Sequence, residues 1–293
     1  MKPAPFEYVA AESLEEALAA LQLNNPEGKI LAGGQSLLPL LNLRLTKPKI
    51  LIDLNGISGL EGIRENPAGL AIGAMTRQSK VEHSSLVRQS CPLLAEAIRY
   101  IGHVAIRHRG TIGGSLAHAD PAAELPAVAL AFDAKFVIAG TGGDRTVSAE
   151  EFFLDFLTTA LAPNEILRQI VFPVLRPSSG YALEEVARRH GDFAIAGVVV
   201  IVDLDDAGKI AEARVALFGV APTPVRARQA ERALLGRELD DSGIADAAAL
   251  LNEVLEPPAD IRASNAYRKH VAAVLLSRAL KRAVQLCHTR RIL

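Results

Sequence analysis

Two short glycine-bearing segments carry the residues best suited to chemistry in this chain. Ala32-Gly33-Gly34-Gln35-Ser36 follows a short apolar run, and Thr111-Ile112-Gly113-Gly114-Ser115 leads into Asp120-Pro121. A pyrophosphate needs several N–H donors at close range, and backbone amides converge only where side chains are small or absent. Ser36, Thr111 and Ser115 add hydroxyls, and a helix starting after such a loop adds partial positive charge. Asp120 has two roles open to it: capping the helix that follows, or, with Glu124 one turn on, accepting hydrogen bonds from polyol hydroxyls. Neither segment has the form G-x-G-x-x-G or G-x-x-x-x-G-K-[ST], so a Rossmann-type dinucleotide site and a P-loop are unsupported. By themselves these residues leave two readings: a phosphate-bearing ligand, or close packing of two turns in a glycine-tolerant core.

No side-chain set suggests acid–base or nucleophilic work. His103 and His108 near the second segment read as surface or supporting residues. Cys91 and Cys287 have no metal or redox spacing and read as two buried thiols in a reducing compartment. The start, MKPAPFEYVAAES, lacks signal-peptide character. A formal net charge of -1 gives no electrostatic footprint for nucleic acid or a membrane surface. With 293 residues, 49% hydrophobic but only 4% aromatic, the chain can bury a large core, expected to be aliphatic. The longest apolar run, Ala194 to Val202, suits a strand and is too short for a membrane span.

The elements that position these segments follow from periodicity. Phe6–Val9, Lys29–Ala32 and Ile50–Leu54 read as strands. Ser13 and Glu16 form a capping box for a helix through Leu21, and a further element is expected near Leu37–Leu43. A hairpin at residues 63–74, a helix over Pro92–Ile101, a helix over Ala122–Phe132 and strands at Lys135–Ala139 and Glu165–Phe172 follow, with a second capping box at Ser148 and Glu151. Residues 173–180 form the best linker. Beyond it, Tyr181–Ala187, Ala194–Leu204 and Ile210–Phe218 predict a three-stranded antiparallel sheet. Pro222–Leu235, Ile244–Leu255 and Tyr267–Leu286 predict three helices, the last with a solvated basic face. The class is α+β, with boundaries expected near Gly56 and Pro177.

Four stretches, AGGQSLLPLLNLRL at 32–45, TIGGSLAHADPAAELPA at 111–127, RRHGDFAIAG at 188–197 and DIRASNAYRKHV at 260–271, occur together in register. With them the chain, from Phe6 to about Val284, resembles the FAD-binding medium subunits of bacterial molybdenum hydroxylases, the carbon monoxide dehydrogenase and xanthine dehydrogenase family. The resemblance implies a two-subdomain FAD-binding fold of the vanillyl-alcohol-oxidase (PCMH) type. Residues 1–56 would form a βαβ subdomain, residues 57–176 a larger second subdomain, and residues 177–293 a C-terminal domain with the three-stranded sheet and three helices.

It also implies residue roles. Leu31, Ala32, Gly33, Gly34, Gln35, Ser36 and Leu37, with Thr111, Gly113, Gly114 and Ser115, would hold the FAD pyrophosphate. Ile101 and Gly102 would approach the cofactor ahead of the second segment. Asp120 and Glu124 match acidic positions around the ribose and ribityl contacts, and Leu161 and Leu167 would flank the adenine. Phe193 would lie by the isoalloxazine face, where its other reading is a core aromatic; Asp192 is either a turn residue or a polar neighbour of the flavin. Some relatives carry a lysine near the flavin after the linker; here Tyr181-Ala182-Leu183-Glu184-Glu185 has none, so that charge contact does not carry over. No cysteine cluster marks an iron–sulfur insertion. The implied function is electron transfer: from a large molybdenum-cofactor (molybdopterin) subunit, through a small [2Fe-2S] subunit, to FAD on this chain and on to an external acceptor. The assembly would be a dimer of heterotrimers, cytoplasmic and at most peripheral at the inner membrane face. No catalytic side chain and no metal ligand is expected here. The rival readings are a free-standing FAD oxidase and a binding module without flavin.

Overall fold

The computed structural model describes residues 2–292. Three sheets of three or more strands follow one another along the described residues, and three hydrophobic clusters accompany them. The first contains β1 (Glu7–Ala10), β2 (Gly28–Leu31) and β3 (Ile50–Asp53), in the order β1-β3-β2 with both pairings parallel. Helix α1 (Leu14–Leu23) connects β1 to β2, and the short α2 (Leu37–Asn42) lies between β2 and β3. Ser13 Oγ accepts from the Glu16 amide, as a capping box requires, but Glu16 reaches back to the Glu12 amide at 2.8 Å. Leu18 and Leu21 of α1 pack with Ile50, Ile52 and Leu54, so this small sheet is covered by its own crossover helix.

The second sheet is antiparallel throughout. It contains β4 (Ile63–Asn66), β5 (Gly69–Gly73), β6 (Lys135–Gly140), β7 (Gly143–Ser148) and, after the small hairpin β8 (Phe153–Asp155) and β9 (Thr158–Thr159), β10 (Ile166–Phe172). Its order is β4-β5-β10-β6-β7. Between β5 and β6 the chain makes α3 (Gln78–His83), α4 (Ser85–Ser90), α5 (Pro92–Ile98), α6 (Val104–Arg109), α7 (Ile112–His118) and α8 (Glu124–Ala131). The one-turn α9 (Ala149–Phe152), closed by the Ser148–Glu151 capping box, follows β7. The core here is not purely aliphatic. Few as they are, the phenylalanines gather in it: Phe136 stacks on Phe152 at 4.1 Å and Phe132 meets Phe172 edge-on at 5.6 Å. A ring buries more area than any aliphatic side chain, so the scarce aromatics go where burial is complete.

The third sheet has four strands, not the expected three: β11 (Gly180–Ala187), β12 (Ala194–Leu204), β13 (Ile210–Phe218) and β14 (Val225–Arg226). The fourth lies inside the stretch expected to be helical from Pro222. Pro222 and Pro224 supply no amide and push their preceding residues toward extended backbone. Leu217 pairs with Val225 and Ala216 with Arg226, and helix α10 starts only at Arg228 (Arg228–Leu234). Every residue of β12 is buried because the sheet is covered on both faces. Ala196, Val198, Val200 and Val202 face α11 (Asp241–Val254) and the long α12 (Asn265–Ile292), while Val199 and Ile201 join the second cluster near α8. The 173–180 stretch is pinned rather than loose: the Leu175 amide donates to Ser90 O at 3.0 Å, and the buried Ser179 hydroxyl to Asp203 Oδ1 at 2.6 Å.

Candidate cofactor site

Gly33 and Gly34 leave the end of β2 and turn the chain into α2. Gly34 sits at φ +74°, a left-handed conformation that side chains disfavour. Among the described residues, nothing accepts from the consecutive amides of Gly33, Gly34, Gln35, Ser36 and Leu37. The Ser36 hydroxyl makes no cap bond, and Gln35 Nε2 donates to Gly33 O at 3.2 Å. Gly33 and Gly34 are buried, where an amide requires a partner other than bulk water. Successive free amides around a left-handed residue form a concave anion site, and a pyrophosphate carries the acceptors that fit it.

The second segment is different from the expected loop. Thr111 is the N-cap of α7, and Ile112 to Ser115 are its first turn. The amides here are already engaged: Ile112 N–H with Thr76 O at 3.0 Å, Gly113 N–H with Ala74 O at 2.8 Å, Gly114 N–H with Thr111 Oγ1 at 3.0 Å and Ser115 N–H with Thr111 O at 3.2 Å. Gly113 is required by packing, since a Cβ there would lie 2.7 Å from Ala74 Cα. The two segments touch: a Cβ on Gly33 would lie 2.8 Å from Gly110 Cα, and one on Gly114 would lie 3.3 Å from Ala32 Cβ. They are also clamped by two residues the sequence did not mark. Arg77 Nη1 donates to Arg109 O, Arg77 Nη2 to Asn55 Oδ1 at 2.6 Å, and Asn55 Nδ2 to Ala32 O at 3.0 Å. Their partners are tens of residues away in sequence, so no local pattern could have signalled them.

Asp120 caps its own turn and not α8: its Oδ1 accepts from Ala122 N–H at 2.9 Å, and α8 starts at Glu124 with Ala123 as N-cap. Glu124 is buried, and burial first, then the Glu185 and Asp120 charges, push its carboxyl up to about 8. Burial pushes Glu185, on β11, up to about 7. Glu185 stands in the stretch expected to lack a charge contact, and only in the folded chain does its charge act on Glu124.

Ile101 and Gly102 form a turn held by the buried Arg107, whose Nη1 donates to Ile101 O at 3.1 Å and whose Nε pairs with Glu82 at 2.9 Å. This turn meets the third motif, because a Cβ on Gly191 would come 2.7 Å from Gly102 O. Asp192 Oδ1 accepts from the Phe193 amide at 2.9 Å. Phe193 is half exposed, not a core aromatic, and the Arg262 guanidinium of the fourth motif lies 5.3 Å from its ring centroid. Leu161 packs partly buried against the second cluster, and Leu167 is buried in β10 opposite Ile138. His103 and His108 are exposed. Among the described residues no group of three or more His, Cys, Asp or Glu is placed to hold a metal, and no helix is long and apolar enough to cross a membrane.

Residues 4–175 match the family of the FAD binding domain in molybdopterin dehydrogenase, and residues 181–283 match the CO dehydrogenase flavoprotein C-terminal domain. The 6-hydroxypseudooxynicotine dehydrogenase complex subunit alpha of Paenarthrobacter nicotinovorans is 42% identical, over 97% of this chain and 96% of the relative. The carbon monoxide dehydrogenase medium chain of Hydrogenophaga pseudoflava is 39% identical over 98% of this chain and 100% of the relative. Among solved structures, carbon monoxide dehydrogenase from Hydrogenophaga pseudoflava superposes with a TM-score of 0.96 at 41% identity, covering 98% of this chain and 100% of that one. Quinoline 2-oxidoreductase from Pseudomonas putida 86 does so with a TM-score of 0.93 at 36% identity, covering 97% and 99%. The glycine segments and the two later motifs thus lie within matches that span nearly the whole chain, and the protein belongs to the carbon monoxide dehydrogenase medium chain family, the FAD-binding subunits of multi-subunit molybdenum hydroxylases.

Proposed function

We propose that this chain holds FAD across the contact between its two glycine segments, and that it relays electrons from the iron–sulfur clusters of a partner subunit to an external acceptor. The observation that carries the reading is the row of five amides from Gly33 to Leu37 without acceptors, fixed against the start of α7 by the Arg77–Asn55 clamp. The first segment supplies the phosphate donors. The second supplies close approach and the Ser115 hydroxyl, its amides being committed. Asp120 and Glu124 serve the ribose and ribityl hydroxyls, Leu161 and Leu167 line the adenine end, and Ile101, Gly102, Asp192 and Phe193 gather at the flavin end. FAD, when bound, supplies the redox chemistry, so the protein's own work is to bind, orient and shield it.

The assembly would comprise a large subunit with the molybdenum–molybdopterin cofactor and a small [2Fe-2S] subunit, as a dimer of heterotrimers in the cytoplasm. Relatives of similar identity are named for different substrates, among them caffeine and carbon monoxide. Substrate preference therefore belongs to the molybdenum subunit. The three larger sheets support units of residues 1–56, 57–176 and 177–293, with an FAD region of the vanillyl-alcohol-oxidase type. The test is to purify the chain alone and co-expressed with the products of adjacent genes, and to record visible spectra. A flavin spectrum that survives desalting is expected on co-expression. Colourless protein in both cases would overturn the FAD reading, and a yellow monomer fully active alone would overturn the subunit reading.

A further inference from the structure

One buried guanidinium joins the turn at Phe193 to the turn at Asp260–Arg262. Arg268 lies in the first turn of α12 and is only 4% exposed. Its Nη1 donates to two backbone carbonyls, Ile195 O of β12 and, at 2.8 Å, Gly219 O just past β13. Its Nη2 pairs with Asp260 Oδ1 at 2.9 Å. A planar guanidinium sends its donors in fixed directions, so one side chain can hold two carbonyls and a carboxylate at once. An ammonium on a flexible stem cannot.

Each of these partners is itself held. Asp260 Oδ1 also accepts from the Arg262 and Ala263 amides, at 2.9 and 3.0 Å, and so closes the turn that carries Arg262. Gly219 sits at φ +74°, and its amide donates to Pro121 O at 2.7 Å, in the turn that follows α7. The guanidinium is thereby referred to the region that carries the second glycine segment. Ile195 stands two residues beyond Phe193, whose ring lies 5.3 Å from the Arg262 guanidinium. The contacts close a circuit through Phe193, Ile195, Arg268, Asp260 and Arg262. Phe193 is 50% exposed and has no enclosing core to orient it. The circuit holds it from two sides, through its backbone and through the face of its ring, where a cation is attracted by the ring quadrupole.

We propose that Arg268 is a positioning residue of the flavin end: without touching the cofactor, it sets where Phe193 stands against the isoalloxazine. This inference rests on the FAD reading of the site. It assigns a task to the fourth motif, whose Asp260, Arg262 and Arg268 all lie outside the glycine segments.

The experiment uses the assembled complex with its partner subunits, stripped of FAD, as wild type, Arg268→Lys, Phe193→Ala and the double variant. Re-binding of FAD is followed by quenching of its fluorescence, the bound flavin by visible circular dichroism, and folding by thermal melts. Arg268→Lys is expected to weaken FAD binding about five- to tenfold, the scale of one misplaced aromatic contact, and to alter the flavin dichroism. In the Phe193→Ala background the same substitution should weaken FAD by less than about twofold, while still lowering the melting temperature. If Arg268→Lys lowers the melting temperature but leaves FAD affinity and dichroism at wild type, Arg268 is only structural and the proposal falls. It falls equally if the two affinity losses multiply in the double variant. Arg262→Ala, at an exposed side chain, reads the circuit even where Arg268→Lys does not assemble. It is expected to weaken FAD about threefold with Phe193 present and not with Phe193→Ala, and the absence of any loss would overturn the circuit. A wild-type complex that binds no FAD would overturn the FAD reading itself and this inference with it.

Discussion

Replacing Gly33 by alanine tests whether the contact between the glycine segments sets the cofactor geometry. The added Cβ would sit 2.8 Å from Gly110 Cα and 2.9 Å from the Arg109 carbonyl carbon, and closer still to the Arg109 oxygen. Ordinary contact between carbons begins near 3.5 Å. The segments must therefore separate by at least about 0.6 to 0.7 Å, the difference between that spacing and the two distances. Both neighbours are backbone, held by the Arg77 clamp, so no flexible side chain can swing aside. Overpacking of this kind costs about 1–3 kcal/mol. If the strain is released by moving the 33–37 amides off their positions, the same energy appears as FAD affinity, about five- to 150-fold at 1.4 kcal/mol per decade. The assay is FAD titration by fluorescence quenching with thermal melts of each form, and Gly142→Ala is the control, because a Cβ there meets nothing within 4 Å. If Gly33→Ala binds FAD and melts as wild type does, the segments do not depend on this contact and the reasoning fails.

Four further outcomes follow from named contacts. Arg77→Ala removes the donors to Arg109 O and Asn55, and should weaken FAD retention by about 1 kcal/mol, read as faster FAD loss on dilution with little change in melting temperature. Arg226→Ala strands the buried Glu231 carboxylate, which also accepts from the Val215 amide at 2.8 Å, and should cost about 3–5 kcal/mol in urea unfolding; Arg226→Ala unfolding like wild type would show the pair to be dispensable. The raised carboxyls of Glu124 and Glu185 bind protons in the fold that the unfolded chain has lost, so stability from this source is fully present below about pH 4.5 and declines as pH rises toward about 8; melts of Glu124→Gln should show a smaller decline. Burial pushes the Cys91 thiol up to about 12, and Cys287 is also buried, so neither should react with iodoacetamide until the chain unfolds.

Much of this molecule was legible in its sequence because the signals are local. Period-2 and period-3.6 patterns and two Ser–Glu capping signals require only neighbours along the chain, and they located most strands and helices within a few residues. The apolar run of β12 was readable as a strand because a sheet covered on both faces needs no polar alternation. The two glycine segments could be singled out by residue type, but composition alone could not choose between ligand binding and tight packing. Tertiary structure divided the roles. Gly33–Leu37 keeps its amides free, whereas Gly113 spends its amide on distant Ala74, a partner that leaves no trace in local sequence, and Gly114 and Ser115 spend theirs on the nearby N-cap Thr111. The strand at Val225–Arg226 likewise exists because β13 offers an edge to pair with, overriding a helical pattern already weakened by two prolines. Glu185 was readable only as the absence of a lysine. That its charge acts on Glu124 is decided by the fold, because charge state depends on what burial removes and on which charges remain near.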